Sequence, residues 1–388
     1  MRDLVQIAAV PLAGFTALAL IWGAHGALMP AYVTKAGLGD ADLGRAMLIS
    51  ALAGGLNLAF APQLIARLGR WKMTAPVLLL VPSALIMARA TEFWGFLIGL
   101  SLTAIASSLL DVVLNSRVSE LESGQDRPLM NGVHGVFAAV MALGALGAGW
   151  LRDIGISAFG ILSIISISVV IAGLWLARQA EPFRDIKADK HDGAKLALPF
   201  YVLVAGASIS FLATTGEHAG QNWSALYLER DMQARPGLSA IAPALMAATM
   251  AVGRFAGQAL ARKVSPSAML TMAAFLSAVG LLGAAFSPGL PLALVAAFAC
   301  FAVAGLGISV IEPTVYSIIG RRTAPDKLPQ VMSRLSLLGG SGFVLGPWMM
   351  GRVADSHGLD VSFAMMGALM LAIPLLLFPL AARPRVSD

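Results

Sequence analysis

Twelve apolar stretches, each about the length of a bilayer crossing, alternate along this chain with short charged or Pro/Gly-bearing breaks. In hydrocarbon only a helix or a closed barrel satisfies every backbone N–H and C=O, and a spanning helix needs about 20 apolar residues. The pattern predicts helices over 7–33, 41–66, 73–90, 93–119, 128–151 and 156–178, then over 197–228, 237–261, 266–286, 290–319, 329–352 and 361–381. Composition agrees, because 12% of residues are charged where a soluble chain holds about 25%. The expected fold class is all-α integral membrane, with twelve transmembrane helices in two six-helix pseudo-symmetric bundles. The first bundle is 1–178 and the second 197–388, joined by a cytoplasmic linker at 179–196 that carries Arg184, Lys187, Lys190 and Lys195.

Charge placement excludes several function classes. The net charge of +6 invites a nucleic-acid reading, but the basic residues are divided among short loops, which is the pattern of membrane orientation. With the N-terminus inside, Arg67, Arg70, Lys72, Arg117, Arg127, Arg178, Arg262, Lys263, Arg321, Arg322 and Lys327 join the linker on the cytoplasmic side. Lys35, Arg45, Arg89, Arg152, Arg230, Arg235 and Arg352 form a smaller outer set. Both termini are then cytoplasmic and the chain is a multi-pass protein of the cell inner membrane, expected as a monomer. The first apolar run far exceeds the about 7–15 residues of a signal-peptide core. One cysteine, Cys300, permits no intrachain disulfide. There is no Gly-Lys-Ser/Thr phosphate loop, no metal-ligand spacing and no nucleophile–base pair, so no cofactor, no metal and no enzymatic activity are expected.

The polar residues at membrane depth carry the functional argument. An ionisable side chain there costs about 2.5–3.5 kcal/mol on insertion scales and usually faces a solute or ion path. Gly216–Leu228, in helix 7, holds Glu217, His218, Gln221, Asn222 and Trp223 together. At i+4 spacing Ser210, Thr214, His218 and Asn222 form one stripe, and Glu217, Gln221 and Ser224 border it. Gln221 and Asn222 are candidate solute contacts, Trp223 a stacking surface, and Glu217 the candidate proton carrier. Gly216 and Gly220 bracket the charged pair and offer points where the helix can unwind. The alternative is an inter-helix hydrogen-bond cluster without a ligand.

Helix 4 repeats a polar residue every fourth position, at Thr103, Ser107, Asp111, Asn115 and Ser119. Asp111 is a second candidate for proton binding, or else a latch to a basic loop. Helix 10 sets Glu312 before Pro313, with Ser309 and Tyr316 on the same face, and makes Glu312 a third candidate. His25, Asn57, His134 and Arg334 are further polar residues at membrane depth, where a packing role competes with a site role. Arg254 reads as structural, pairing across helices near the cytoplasmic end. The glycines at 144, 147 and 149, and at 339, 340, 342 and 346, predict close helix approach.

The halves echo each other. Gly23-Ala-His25 followed by Tyr32 in helix 1 resembles Gly216-Glu-His218 followed by Tyr227 in helix 7, and an offset of 200 sets His134 opposite Arg334 and Arg152 opposite Arg352. Parallel six-helix repeats predict a site near the bilayer midplane, between the halves.

Taken together, the pattern resembles the major facilitator superfamily over essentially the whole chain. Its loop signature after helix 2, Gly-x-Leu-x-Asp-Arg-x-Gly-Arg-Arg, stands here as Pro62-Gln-Leu64-Ile-Ala66-Arg67-Leu-Gly69-Arg70-Trp71, with alanine at the acid position. The equivalent after helix 8, Gly257-Gln-Ala-Leu260-Ala261-Arg262, lacks the acid too. The resemblance implies gating by Arg67, Arg70, Arg262 and Arg334, with Glu120 or Glu122 as replacement partners. Asp111-Val-Val-Leu-Asn115, Arg127-Pro-Leu-Met-Asn131-Gly-Val-His134, Glu217 with Trp223-Ser-Ala-Leu-Tyr227, and Glu312-Pro-Thr-Val-Tyr316 are similar to the sugar-permease-like branch that includes fucose permease. That branch implies proton symport through acids on helices 1 and 4. Helix 1 here has no acid and offers His25 alone, which moves the expectation to Glu217 and Glu312.

The expected function is therefore secondary active transport by alternating access, coupled to protons, of a small polar organic solute such as a sugar. Solute contacts are expected at Gln221, Asn222, Trp223, Trp22, His25, Asn57, Asn115 and Tyr316. One alternative is proton-driven export of drugs or amphipathic compounds, since Gly342-Phe-Val-Leu-Gly346-Pro347 supplies an exporter-like Gly-x-x-x-Gly-Pro, though in helix 11. A second, of another class, is a non-transporting membrane sensor or scaffold.

Overall fold

The computed structural model describes residues 7–125, 129–179, 199–261, 263–323 and 327–381. Every regular element among them is helical. Twelve principal helices follow the predicted segmentation closely. In chain order they are α1 (Ala9–Ala36), α2 (Asp40–Leu68), α3 (Thr74–Arg89), α4 (Phe93–Gln125), α5 (Met130–Asp153) and α6 (Ala158–Ala177). The second set is α7 (Phe200–Arg230), α8 (Ile241–Leu260), α9 (Pro266–Phe286), α10 (Ala293–Arg321), α11 (Leu328–His357) and α12 (Leu359–Met370). Among the described residues, ten helical stretches are long and apolar enough to cross a membrane, and α3 is a shorter apolar helix.

The chain divides into two compact units. The first is Met1–Asp189 with Gln233–Ala244, and the second is Lys190–Met232 with Leu245–Asp388. The short helical turn Pro236–Ser239 and the first residues of α8 pack with the first unit.

Each unit has the same internal packing, displaced by six helices, and glycine marks the contacts. In the first unit α1 lies on α5, where a Cβ at Gly23 would sit 2.9 Å from the Met141 carbonyl carbon, and α3 lies on α4, where one at Gly99 would sit 2.6 Å from the Met87 amide. In the second, Gly346 of α11 comes within 2.8 Å of Thr215 on α7, and Gly280 of α9 within 2.7 Å of Ala304 on α10, measured from the same added Cβ. The outer pairs repeat as well: Gly173 of α6 meets Leu78 of α3, and Gly367 of α12 meets Leu282 of α9. In lipid there is no hydrophobic force between helices, so contact this close recovers stability through dispersion. Of the predicted packing glycines, Gly144, Gly149, Gly339, Gly342 and Gly346 make such contacts, whereas Gly147 and Gly340 meet nothing.

The surface is apolar where a bilayer would cover it. On α6, Ile167 and Ile171 are 62% and 63% exposed, one turn apart, while Ile161, Leu162 and Val169 are buried. Isoleucines exposed in succession on one face are costly in water and ordinary against acyl chains.

Two local expectations are corrected. The span predicted over 361–381 is interrupted: α12 ends at Met370, and short turns Ile373–Leu376 and Phe378–Ala381 follow. Pro374 lacks the amide that would continue the ladder, and its ring crowds the preceding turn. Conversely, α7 runs unbroken through Gly216 and Gly220. Those glycines serve packing, since a Cβ at Gly216 would meet the Met370 methyl at 2.8 Å and one at Gly220 would overlap Met246.

Candidate functional site

In the second unit the polar stripe of α7 is organised as i, i+4 pairs, as helix geometry dictates. Gln221 Nε2 donates to Glu217 Oε1 at 3.0 Å, and Asn222 Nδ2 lies 2.9 Å from His218 Nδ1. The His218 ring stands edge-on to Phe343 of α11 at 4.5 Å. Thr214 Oγ1 donates to the Gly339 carbonyl at 3.1 Å, tying the stripe to α11. Gln221 also reaches Sδ of Met250 on α8 at 3.8 Å.

Glu217 does not act alone. Its carboxyl interacts electrostatically with Arg254 of α8, and Glu312 of α10 interacts with both Arg254 and Glu217. Arg254 is exposed, and no ion pair joins it to either acid among the described residues. Tyr316, one turn beyond Glu312, has its hydroxyl 2.7 Å from Ser336 Oγ of α11. Ser309, predicted on the face of Glu312, is buried and spends its hydroxyl on the Leu306 carbonyl. Arg254 is the residue that the sequence presents as structural, because nothing in a single helix shows which neighbours a lone arginine will meet. Its one legible signal is a charge inside an apolar run.

Trp223 is the candidate stacking surface of α7. It is 0% exposed, and its indole N–H has no partner among the described residues.

In the first unit the α4 stripe is used turn by turn against different neighbours. Thr103 donates to Ser83 of α3 at 3.0 Å, and Ser107 accepts from Trp22 Nε1 of α1 at 3.0 Å. Asn57 of α2 donates to Ser108 at 2.8 Å, beside the stripe. Asn115 Nδ2 donates to Asp111 Oδ1 at 2.8 Å, and its Oδ1 lies 2.9 Å from His134 Nε2 of α5. Asp111, Asn115 and His134 therefore form one polar chain from α4 to α5, capped by the ring of Phe15 at 5.2 Å from His134. His25 is 1% exposed and packed among rings, edge-on to Trp22 at 5.4 Å and 5.5 Å from Tyr32.

The gating candidates are dispersed. Arg67 is exposed, and Arg70 is exposed with its guanidinium 4.8 Å from the Trp71 ring. Glu120 pairs with Arg117 on its own helix at 3.1 Å. Glu122 accepts from the Leu129 and Met130 amides at 2.6 and 2.7 Å, which caps α5 at its N-terminus. No ion pair joins either acid to Arg67 among the described residues. Arg334 is half-buried on α11. Arg262 and the basic residues of the linker lie outside the described residues.

Comparison with known proteins supplies the family. The chain matches the Major Facilitator Superfamily over residues 12–304 and again over 269–388. It is 26% identical to the membrane protein MosC of Rhizobium meliloti, over 89% of this chain and 84% of that protein. It is 24% identical to an uncharacterized MFS-type transporter of Yersinia pestis, over 89% and 88%. Among solved structures, the inward-open xylose transporter XylE from E. coli shares the fold at a TM-score of 0.75 and 13% identity, over 99% and 98% of the two chains. The nucleoside transporter NupG does so at 0.70 and 12%, over 98% and 99%. A twelve-helix chain that repeats its own packing after six helices and matches one family from end to end is no enzyme with an unusual surface: it is a multi-pass membrane transporter and belongs to the Major Facilitator Superfamily.

Proposed function

We propose that this transporter couples the movement of a small polar organic solute, sugar-like in its hydroxyl chemistry, to protons by alternating access, with Glu217 as the proton carrier. The observation that carries the reading is Glu217 itself: a half-buried acid in an apolar helix, oriented by Gln221. An ionisable group at membrane depth costs about 2.5–3.5 kcal/mol to insert, and close helix packing alone does not require one. One proton moving through about 100 mV supplies about 2.3 kcal/mol. At about 1.4 kcal/mol per decade that sustains roughly fifty-fold accumulation, so one titrating carboxyl suffices.

The substrate class rests on side chains rather than on the fold, since solved transporters that share this fold carry the names of xylose, nucleosides and a metal. Amides on both units, Gln221 and Asn222 on α7, Asn57 on α2 and Asn115 on α4, offer donors and acceptors suited to hydroxyl groups. Trp22, partly exposed on α1, is the aromatic face suited to a sugar ring. The likeness to the sugar-permease-like branch rests on these same motifs. Loop arginines support an inner-membrane orientation with both termini cytoplasmic.

The test is proton flux in proteoliposomes carrying an internal pH dye, with a panel of neutral sugars added to one set and lipophilic cations to another. The reading expects sugar-dependent proton movement. Flux with lipophilic cations alone would replace it with export of amphipathic compounds, and solute movement without protons would remove the coupling.

A further inference from the structure

Two histidines hold matching places in the halves, His25 on α1 and His218 on α7, and their surroundings differ. His25 is 1% exposed and boxed by the rings of Trp22 and Tyr32, with its Nδ1 buried and unpartnered. His218 is half-buried. Its Nδ1 lies 2.9 Å from Asn222 Nδ2, and an amide nitrogen can only donate. Nδ1 is therefore the acceptor, the ring is neutral, and its proton sits on Nε2. No described residue accepts from Nε2, and it is not sealed away as the Nδ1 of His25 is. A donor of fixed tautomer thus stands open on α7.

Two further groups flank that donor. Gln221, three residues on and so beside His218 on the helix surface, gives its Nε2 to Glu217 at 3.0 Å and to Met250 Sδ at 3.8 Å. Its Oε1 has no partner among the described residues and is accessible as well. From α11, a Cβ at Gly342 would overlap Thr214 and one at Gly346 would sit 2.8 Å from Thr215 Cγ2, which brings Phe343 alongside α7. The Phe343 ring meets the His218 ring edge-on at 4.5 Å, yet Phe343 is 41% exposed. A half-bare aromatic ring therefore stands beside an open donor and an open acceptor.

We infer that His218 and Phe343 form a solute subsite within the second unit, His218 donating from Nε2 to one hydroxyl of a sugar-like ring and Phe343 lying against the C–H face of that ring. This inference rests on the proposed sugar-like substrate. Gln221 Oε1 accepts from a neighbouring hydroxyl, so that donor and acceptor stand side by side, as hydroxyls do on a sugar. Nε2–H offers a lone pair to no cation, so the subsite favours a neutral, hydroxyl-bearing solute. Asn222 is a positioning residue in this scheme: through its Nδ2 it fixes which nitrogen of His218 carries the proton.

NMR of the full chain in detergent, with nitrogen-labelled histidine, tests this. The His218 resonances are assigned by their absence from His218→Gln, and neutral sugars are titrated in as probes. Without sugar we expect a protonated Nε2 and an unprotonated Nδ1, and a mixture of the two tautomers in Asn222→Leu. A sugar that binds should move the Nε2 resonance. His218→Gln, whose amide nitrogen can replace the donor, should bind within a few-fold of wild type. His218→Leu and Phe343→Leu should each bind about two- to tenfold more weakly, the range of one neutral hydrogen bond or one aromatic contact. A proton on Nδ1 in the sugar-free protein, a bound sugar that leaves Nε2 unmoved, or unchanged affinity in both leucine variants would overturn the inference. If a leucine variant does not fold, the wild-type Nε2 response decides the matter. Should no neutral sugar bind the wild type, the sugar reading falls and the subsite with it, whereas binding with Nε2 unmoved removes the subsite alone.

Discussion

Asp153, the last residue of α5, accepts a hydrogen bond from the Gly237 amide at 2.8 Å, while its ion pair with Arg235 is long, at 3.8 Å. Gly149, one turn earlier, comes close enough that a Cβ would lie 3.1 Å from the Pro236 carbonyl. This contact attaches the segment that leads into α8 to the end of α5, within the first compact unit.

The backbone bond should matter more than the ion pair. A side chain that caps helix-terminal amides contributes about 0.5–2 kcal/mol, whereas an exposed ion pair contributes about 0–1 kcal/mol. Thermal unfolding of the detergent-solubilised protein should therefore rank Asp153→Ala as the more destabilising and Arg235→Ala as close to wild type. The reverse ranking would assign the contact to charge.

Close approach between α11 and α7 yields a second expectation. A Cβ at Gly342 would overlap Thr214 Oγ1, whereas one at Gly340 meets nothing. Gly342→Val should cost about 1–3 kcal/mol by overpacking. Gly340→Ala should be neutral or gain up to about 1 kcal/mol, because alanine is the better helix former. Melting temperatures of the two variants check the contrast.

The polar chain of the first unit separates a hydrogen-bond role from a charge role. Asn115→Leu removes the link between Asp111 and His134 and leaves both half-satisfied, at a cost of about 1–3 kcal/mol. Asp111→Asn keeps an acceptor for Asn115 and should cost less. If Asp111→Asn instead abolishes proton-coupled flux at unchanged stability, Asp111 is a coupling acid rather than part of a structural link.

How much of this was legible in the sequence follows from what membranes enforce. Twelve helices could be read because hydrocarbon leaves a chain few other ways to satisfy its backbone. The pairing of Glu217 with Gln221 and of His218 with Asn222 could be read because both lie one turn apart. The contact of Gln221 with Met250 could not, since it depends on how α8 sits against α7. For the same reason the capping of α5 by Glu122 was missed, although a carboxylate shortly before a helix start is a usable signal. Trp223 shows the converse limit: its polar neighbours in sequence say nothing of which way its own side chain points. The break after α12 was legible in Pro374 and was outweighed by the hydrophobicity around it.

The central claim is that Glu217 carries the coupled proton. Its most direct test is a comparison, in proteoliposomes, of Glu217→Gln with wild type for any panel sugar that moves protons, measuring uphill accumulation under an imposed pH gradient beside counterflow exchange at equal pH. The account predicts that the variant loses accumulation while counterflow remains within a few-fold of wild type, because exchange needs alternating access but no net proton. Accumulation at the wild-type level in Glu217→Gln would contradict it.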